Sequence, residues 1–209
     1  MNTVISIVVC DDHTMFRKSL SLYLGTFKKV KVLKDFANGH GLVKFLQHHQ
    51  PPSLVLMDIK MPVMNGYEST AFLKQYYPKV RVIAMSSFDN ELAIAQILHM
   101  GASCFVSKND EPDEICKAIL HVHQYGYYMN KWMRYQQKNQ VVPAMQLLTA
   151  KEKTILPLLC SSKTYDEIAS ISNISIKTVD RHRDEIFKKL NVQSRLNLAL
   201  FAINNGIVV

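Results

Sequence analysis

The sequence predicts two domains of different class: an α/β domain on a five-stranded parallel sheet, then a small all-α domain containing a helix-turn-helix. Two patterns and one length carry this reading. Residues 1–125 alternate short apolar runs rich in β-branched residues with segments of helical apolar period. From Leu148 onward only the helical period remains. The 209 residues are enough for two compact domains.

In chain order, strands are expected at Val4–Val9, Val30–Phe36, Leu54–Met57, Arg81–Met85 and Cys104–Val106. The first helix between them carries Phe16, Leu20 and Leu24, and the second carries Leu42, Phe45 and Leu46. A third, over 66–76, opens after Asn65-Gly66 and stops at Pro78. Leu92, Ala95 and Ile97–Met100 mark a fourth, and Ile115, Ile119 and Val122 a fifth. Alternation with connections this short requires parallel strands and right-handed crossovers, with helices on both faces of the sheet.

Residues 126–147 show no clean period and contain Pro143, so they are expected to be a linker, helical at most in its first part. In the segment 148–209, Thr149 can cap a helix running to about Cys160, with Pro157 expected to kink or end it. Thr164 can cap TYDEIASIS, and Asn173 suits a tight left-handed turn. Ser175 can cap IKTVDRHRDEIFKKL, and Ser194 a last helix ending near Asn205 with Gly206 as its stop. Short helices with a tight turn before the third describe a helix-turn-helix.

Charge separates the halves. Residues 1–125 hold 13 basic and 11 acidic side chains, whereas residues 126–209 hold 12 basic and 6 acidic. An anionic partner is therefore expected at the C-terminal half. Cys10, Cys104, Cys116 and Cys160 form no CxxC pair, so neither a disulfide framework nor a zinc site is expected. No apolar stretch approaches the roughly 18 residues of a membrane span. The N-terminus MNTVISIVVCDDH has no basic segment before its apolar run. A cytoplasmic protein is the expectation.

The chemistry concentrates where strands end. Asp11 and Asp12 follow the first, Asp58 the third, Ser86 the fourth and Lys108 the fifth. In a parallel sheet these ends converge, and ligands bind beyond them. Carboxylates so clustered repel one another and favour a hard divalent cation such as Mg2+, which takes about six oxygens. One carboxylate could then attack a donor phosphorus to form an acyl phosphate, with Lys108 and Ser86 stabilising its oxygens. Singly, each aspartate reads as a turn or cap residue and Lys108 as a loop lysine; their convergence favours the pocket.

The segments VVCDDHTMFRKSL, LVLMDIKMPVMNGYE, RVIAMSS and GASCFVSK resemble the receiver domain of bacterial two-component response regulators over about residues 3–125. The resemblance implies a flavodoxin-like sheet and makes Asp58 the phosphoacceptor. It implies Mg2+ on Asp12, Asp58 and the backbone carbonyl of Lys60, with Asp11 in an outer role. Lys108 would contact the phosphoryl group, Ser86 would be the switch hydroxyl and Phe105 the switch aromatic. Asn109 stands where many receivers have proline, so a different local loop is expected.

The segment LLTAKEKTILPLLC…TYDEIASISNISIKTVDRHRDEIFKKLNVQSR resembles the LuxR-type helix-turn-helix of NarL/FixJ-class regulators. On the helix after Ser175, Val179, Ile186 and Leu190 form an apolar stripe, while Lys177, Arg181, Asp184 and Lys188 share the opposite face. A helix of this width fits the major groove. Arg181 suits guanine, Lys177 and Lys188 suit phosphates, and Thr164 and Thr178 suit the backbone. Asp180 and Asp184 could accept from a cytosine amino group, but pairing with Arg183, Lys177 or Lys188 is the stronger expectation. The resemblance implies that the last helix pairs two copies in a homodimer.

Together these expectations describe a transcription factor switched by a sensor histidine kinase, binding promoter double-stranded DNA, with RNA polymerase as a further candidate partner. Its only catalysis would be its own phosphoryl transfer and dephosphorylation. A phosphohydrolase is disfavoured because Asp58-Ile59-Lys60 lacks the second acid of a DxD motif. A constitutive DNA-binding module leaves the acids, Ser86 and Lys108 without purpose.

Overall fold

The computed structural model describes residues 4–87, 90–139, 142–204 and 207. The chain divides into two compact units, Met1–Val141 and Val142–Val209. Among the described residues no helix is long and apolar enough to cross a membrane.

The first unit holds β1 (Ile5–Cys10), α1 (Thr14–Gly25), β2 (Val30–Phe36), α2 (Gly39–His48), β3 (Leu54–Asp58), α3 (Gly66–Tyr76), β4 (Arg81–Ser86), α4 (Glu91–Met100), β5 (Cys104–Ser107), α5 (Pro112–Tyr125) and α6 (Lys131–Asn139). The sheet order is β2-β1-β3-β4-β5 and every pairing is parallel. The chain leaves β1 to one side for β2 and returns to the other for β3. This reversal opens the crevice at which such sheets place ligands.

Strand alternation builds two apolar layers. Ile5, Ile7 and Val9 of β1 face Leu20 and Leu24 of α1 and Ile115, Ile119 and Val122 of α5. Val8 and Cys10 face the opposite way, toward Leu42 and Leu46 of α2 and Leu73 of α3. Ala84 of β4 and Phe105 of β5 lie in a cluster with Ile94 and Ile97 of α4. Each buried large aliphatic contributes roughly 1.5–3 kcal/mol, so a one-residue slip of register would invert every strand at prohibitive cost.

Helix starts follow the side chains that can satisfy free N–H groups. Asn38 accepts from Gly41 N at the start of α2, and Asn90 from Ala93 N at α4. Asn65 and Glu68 form a reciprocal capping box at α3. Pro112 opens α5, and Gly126 ends it at φ 87°, a left-handed conformation that suits glycine. Gly66 is required for another reason: a Cβ there would lie 2.2 Å from the carbonyl oxygen of Asp58.

In the stretch expected as a linker, 126–147, the described residues include the helix expected in its first part, α6, and a second short one. Residues up to Asn139 pack on the first unit through α6, and α7 (Ala144–Leu147) packs on α10 of the second, so the boundary falls at 141–142. The helical period is weak because α6 buries no residue fully and is held largely by polar contacts.

The second unit contains α7, α8 (Ala150–Leu159), α9 (Tyr165–Ser172), α10 (Ile176–Leu190) and α11 (Arg195–Asn204). Ile155, Leu156, Leu159, Ile168, Val179, Ile186, Leu190 and Leu198 form its buried interior. Pro157 lies inside α8, which ends two residues later. Asn173 takes the left-handed turn between α9 and α10, at φ 51°. The expected stop at Asn205 and Gly206 lies outside the described residues.

Candidate functional site

The strand registers put the chemistry at one edge. Asp58 closes β3 opposite Met85, and Ser86 closes β4 opposite Ser107, one residue before Lys108. Asp11 follows Cys10, which pairs with Met57. The result is a pocket in which one ammonium meets two carboxylates. Nζ of Lys108 lies 2.7 Å from Oδ2 of Asp11 and 2.9 Å from Oδ2 of Asp58. All three side chains are almost sealed from solvent, with 6%, 0% and 4% exposure.

Supporting contacts fix these groups. The backbone N–H of His13 donates to Asp11 Oδ1 at 2.9 Å. Arg17, itself buried, donates through Nη1 to the Asp11 carbonyl and through Nε to Asp35 at 3.3 Å. Lys108 N donates to Ser86 O at 2.8 Å, tying the ends of β4 and β5. At Asn109, where many receivers have proline, the backbone N–H donates to Ser107 Oγ at 3.2 Å and Nδ2 donates to Ser87 O at 3.1 Å. Between Asp58 and α3, Ile59 N donates to Met85 O and Gly66 N to Ile59 O.

Burial pushes the Asp58 carboxyl up to about 6; Lys108 opposes the rise and the neighbouring Asp11 and Asp12 add to it. Desolvation also lowers the ammonium of Lys60. A pocket of this kind favours any cation that restores the ionised carboxylates. Ligand atoms of Asp11, Asp12, His13 and Asp58 lie within 4.8 Å of one another. The three carboxylates are hard oxygen donors suited to Mg2+. His13 was not foreseen; its place beside Asp12, with Nδ1 at 3.0 Å from Asp12 Oδ1, was the available signal.

Lys60 follows Asp58 by two residues in the loop at the same edge. Ser86 is buried there. Phe105 is fully buried in the α4 layer, and its ring meets Trp132 of α6 edge-on, with centroids 5.8 Å apart. Trp132 was also not foreseen, because a lone tryptophan in a polar stretch shows no period.

In the second unit, α10 presents the two faces expected. Val179, Ile186 and Leu190 are buried, whereas Lys177, Arg181, Asp184 and Lys188 are exposed. Arg183 pairs with Asp180 at 2.8 Å and with Asp184 at 2.9 Å. Asp180 and Asp184 are thereby engaged, while Lys177, Arg181 and Lys188 have no ion-pair partner among the described residues. Thr164 Oγ1 accepts from Glu167 N as the α9 cap, and Thr178 Oγ1 lies 2.8 Å from Ser175 Oγ. Tyr165 contacts two guanidinium groups, Arg183 and Arg195, each 5.2 Å from its ring centroid. That contact links α9 to the recognition-like helix and had no sequence signal. On α11, Leu198 is buried, but Leu196, Leu200 and Ile203 form an exposed apolar stripe.

Residues 7–120 match the family described as response regulator receiver domain, and residues 146–202 match bacterial regulatory proteins of the luxR family. Response regulator protein VraR of Staphylococcus epidermidis is 29% identical over 207 residues, covering 98% of this chain and 99% of its own. VraR of Staphylococcus aureus shows the same identity and coverage. Among solved structures, an RcsB–DNA complex has a TM-score of 0.71 at 19% identity, covering 97% of this chain and 99% of that one. RcsB from Salmonella enterica serovar Typhimurium, bound to a promoter in the presence of phosphomimetic BeF3-, has a TM-score of 0.74 at 21% identity, covering 96% of this chain and 98% of that one.

Proposed function

The chain belongs to the response regulators, with a receiver domain and a LuxR-type DNA-binding domain, and from that premise we propose a transcription factor whose promoter binding is controlled by phosphorylation of Asp58. The observation that carries this reading is the shared ammonium: Lys108 sits within ion-pair distance of both Asp11 and Asp58 at the reversal point of the sheet.

In the proposed step, a carboxylate oxygen of Asp58 attacks the phosphorus of a phosphohistidine on a sensor kinase. A P–O bond forms, the P–N bond breaks, and the imidazole leaves with the electron pair and takes up a proton. Lys108 turns its ammonium from the carboxylate to the new phosphoryl oxygens. Held by Asp12, Asp58 and the Lys60 carbonyl, with Asp11 in an outer role, Mg2+ would supply charge neutralisation for the phosphoryl oxygens. Ser86 donates a hydrogen bond to the product, and the space it vacates admits the Phe105 ring. The protein turns over only its own aspartyl phosphate.

Downstream, two copies pair and α10 enters the major groove. Arg181 reads a base edge, Lys177 and Lys188 meet phosphates, and Thr164 and Thr178 approach the backbone. Asp184 stays on the same face under the hold of Arg183. The exposed stripe Leu196, Leu200 and Ile203 favours pairing through α11. A two-fold dimer then reads half-sites about 10 bp apart. RcsB from Salmonella enterica serovar Typhimurium has been solved bound to a promoter in the presence of phosphomimetic BeF3-, which is in keeping with this reading. The setting is the cytoplasm, with RNA polymerase as a partner at the promoter.

Labelling from acetyl phosphate with Mg2+ tests the acceptor. Asp58→Asn is expected to take up no label; a fully labelled variant would move the acceptor elsewhere.

A further inference from the structure

Helix α6 is held by anchors that all lie close to the proposed switch. Trp132 Nε1 donates to Asp110 Oδ2 at 2.9 Å, and Lys131 Nζ to Asp110 Oδ1 at 2.5 Å. Asn130, buried, donates through Nδ2 to the carbonyl of Phe105 at 2.7 Å, while its Oδ1 caps α6 at Met133 N. Gln136 Nε2 donates to Glu91 O at the start of α4. The Trp132 ring completes the contact against Phe105.

Asp110 stands two residues after Lys108 in a turn tied to itself. Ser107 N donates to Asp110 Oδ2 and Asp110 N to Ser107 O, at 3.1 and 3.0 Å. One end of this turn therefore carries the ammonium on Asp58, and the other carries the carboxylate that holds α6. A turn so closed moves as a piece. When Lys108 follows new phosphoryl oxygens and Phe105 shifts, both anchors of α6 are disturbed together.

Beyond these anchors the apolar burial of α6 is slight, with Met133 partly buried against the first core layer. It has nine residues and buries none of them fully. Isolated helices shorter than about 12–15 residues are marginal in water, so α6 depends on its docking. Elements with few buried contacts are the ones that open first.

Resting on the reading of Asp58 above, we infer that α6 is a latch: Asp110 and Asn130 hold it against Phe105 in the unphosphorylated protein, and phosphorylation of Asp58 releases it. Once α6 is free, the chain joining the two units gains at least its residues, Lys131–Asn139. A longer tether lets the DNA-binding units of two copies reach paired half-sites.

Trp132 is the single tryptophan of the chain, so its emission reports on α6 alone. In the full-length protein, acrylamide quenching and emission maximum are read with and without acetyl phosphate and Mg2+, and label on Asp58 is read in parallel. Labelling is expected to shift emission to the red and raise the quenching constant severalfold, with no change in Asp58→Asn. Asp110→Ala, and the milder Asp110→Asn, are expected to expose Trp132 without any donor. Label taken up with Trp132 still shielded would overturn the latch and leave the acceptor standing. Absence of label on the wild type would overturn both. A shielded Trp132 in both Asp110 variants would likewise overturn the latch.

Discussion

The ammonium of Lys108 lies 2.9 Å from the carboxylate of Asp58, and both are nearly excluded from water. Yet the acid is raised to about 6, because burial outweighs this single cation. The pair is therefore under-compensated, and proton and metal compete for it. An acid whose folded pKa exceeds its unfolded value binds more protons when folded. Its ionisation costs stability as pH rises from about 4 through 6, on the order of 3 kcal/mol for two pKa units. We expect urea stability of the metal-free protein to fall over that window and Mg2+ to restore it above pH 6. Asp58→Asn should lose this pH dependence; retention of the full slope would move its source to another group.

Val63, in the loop between Asp58 and α3, has φ 69° and is the centre of a tight turn in which Met64 N donates to Pro62 O. A β-branched residue with positive φ at the centre of a γ-turn stores about 1–3 kcal/mol of strain. Val63 is highly exposed, so little packing offsets it. Val63→Gly is expected to stabilise the protein by up to about 1 kcal/mol in urea denaturation, since glycine takes positive φ without a steric cost. A destabilised variant would show that the valine side chain contributes more than its backbone costs.

In the second unit, Glu152 is buried and accepts from Lys189 at 2.7 Å while forming the capping box with Thr149. Burial alone would raise its carboxyl, but the hydrogen bonds from Lys189 and Thr149 outweigh this and hold it below the usual carboxylate range. A depressed acid contributes stability above its unfolded pKa and loses it as pH falls through the folded value. Glu152→Gln should therefore cost about 1–3 kcal/mol at pH 7, and less under acid. Equal losses at both pH values would point to packing rather than charge.

Arg181 and Lys188 share the exposed face of α10 but are expected to act differently on DNA. Arg181→Ala should cost about 1–3 kcal/mol on the preferred site and relax its sequence preference. Lys188→Ala should weaken all duplexes alike and flatten the salt dependence by about one unit of slope. Titrations at several salt concentrations separate the two; wild-type behaviour in both variants would place the interface on another helix.

The sequence showed the fold wherever local chemistry and burial agreed. β-branched runs ending in Asp58, Ser86 and Lys108 marked both strands and pocket, since a strand end fixes where its next residue points. Ser175 and Thr164 were legible as caps because their hydroxyls answer a nearby need. What was hidden depends on distant partners. Trp132 is explained only by Phe105 and Asp110, brought to it by β5 and the turn that follows. Tyr165 gains meaning from Arg183 and Arg195, 18 and 30 residues further on. His13 joined the acids through the turn after β1, where spacing alone does not tell a ligand from a helix cap. Val63 adopts a conformation its residue type disfavours, so no propensity argument would have found it.

The central claim is that phosphorylation of Asp58 controls DNA binding by the second unit. Its most direct test measures the affinity of the full-length protein for its promoter fragment before and after acetyl phosphate with Mg2+, alongside Asp58→Asn. We expect tighter binding by the labelled wild type and no response from the variant. Equal affinity with and without label, or an equal gain by Asp58→Asn, would contradict the account.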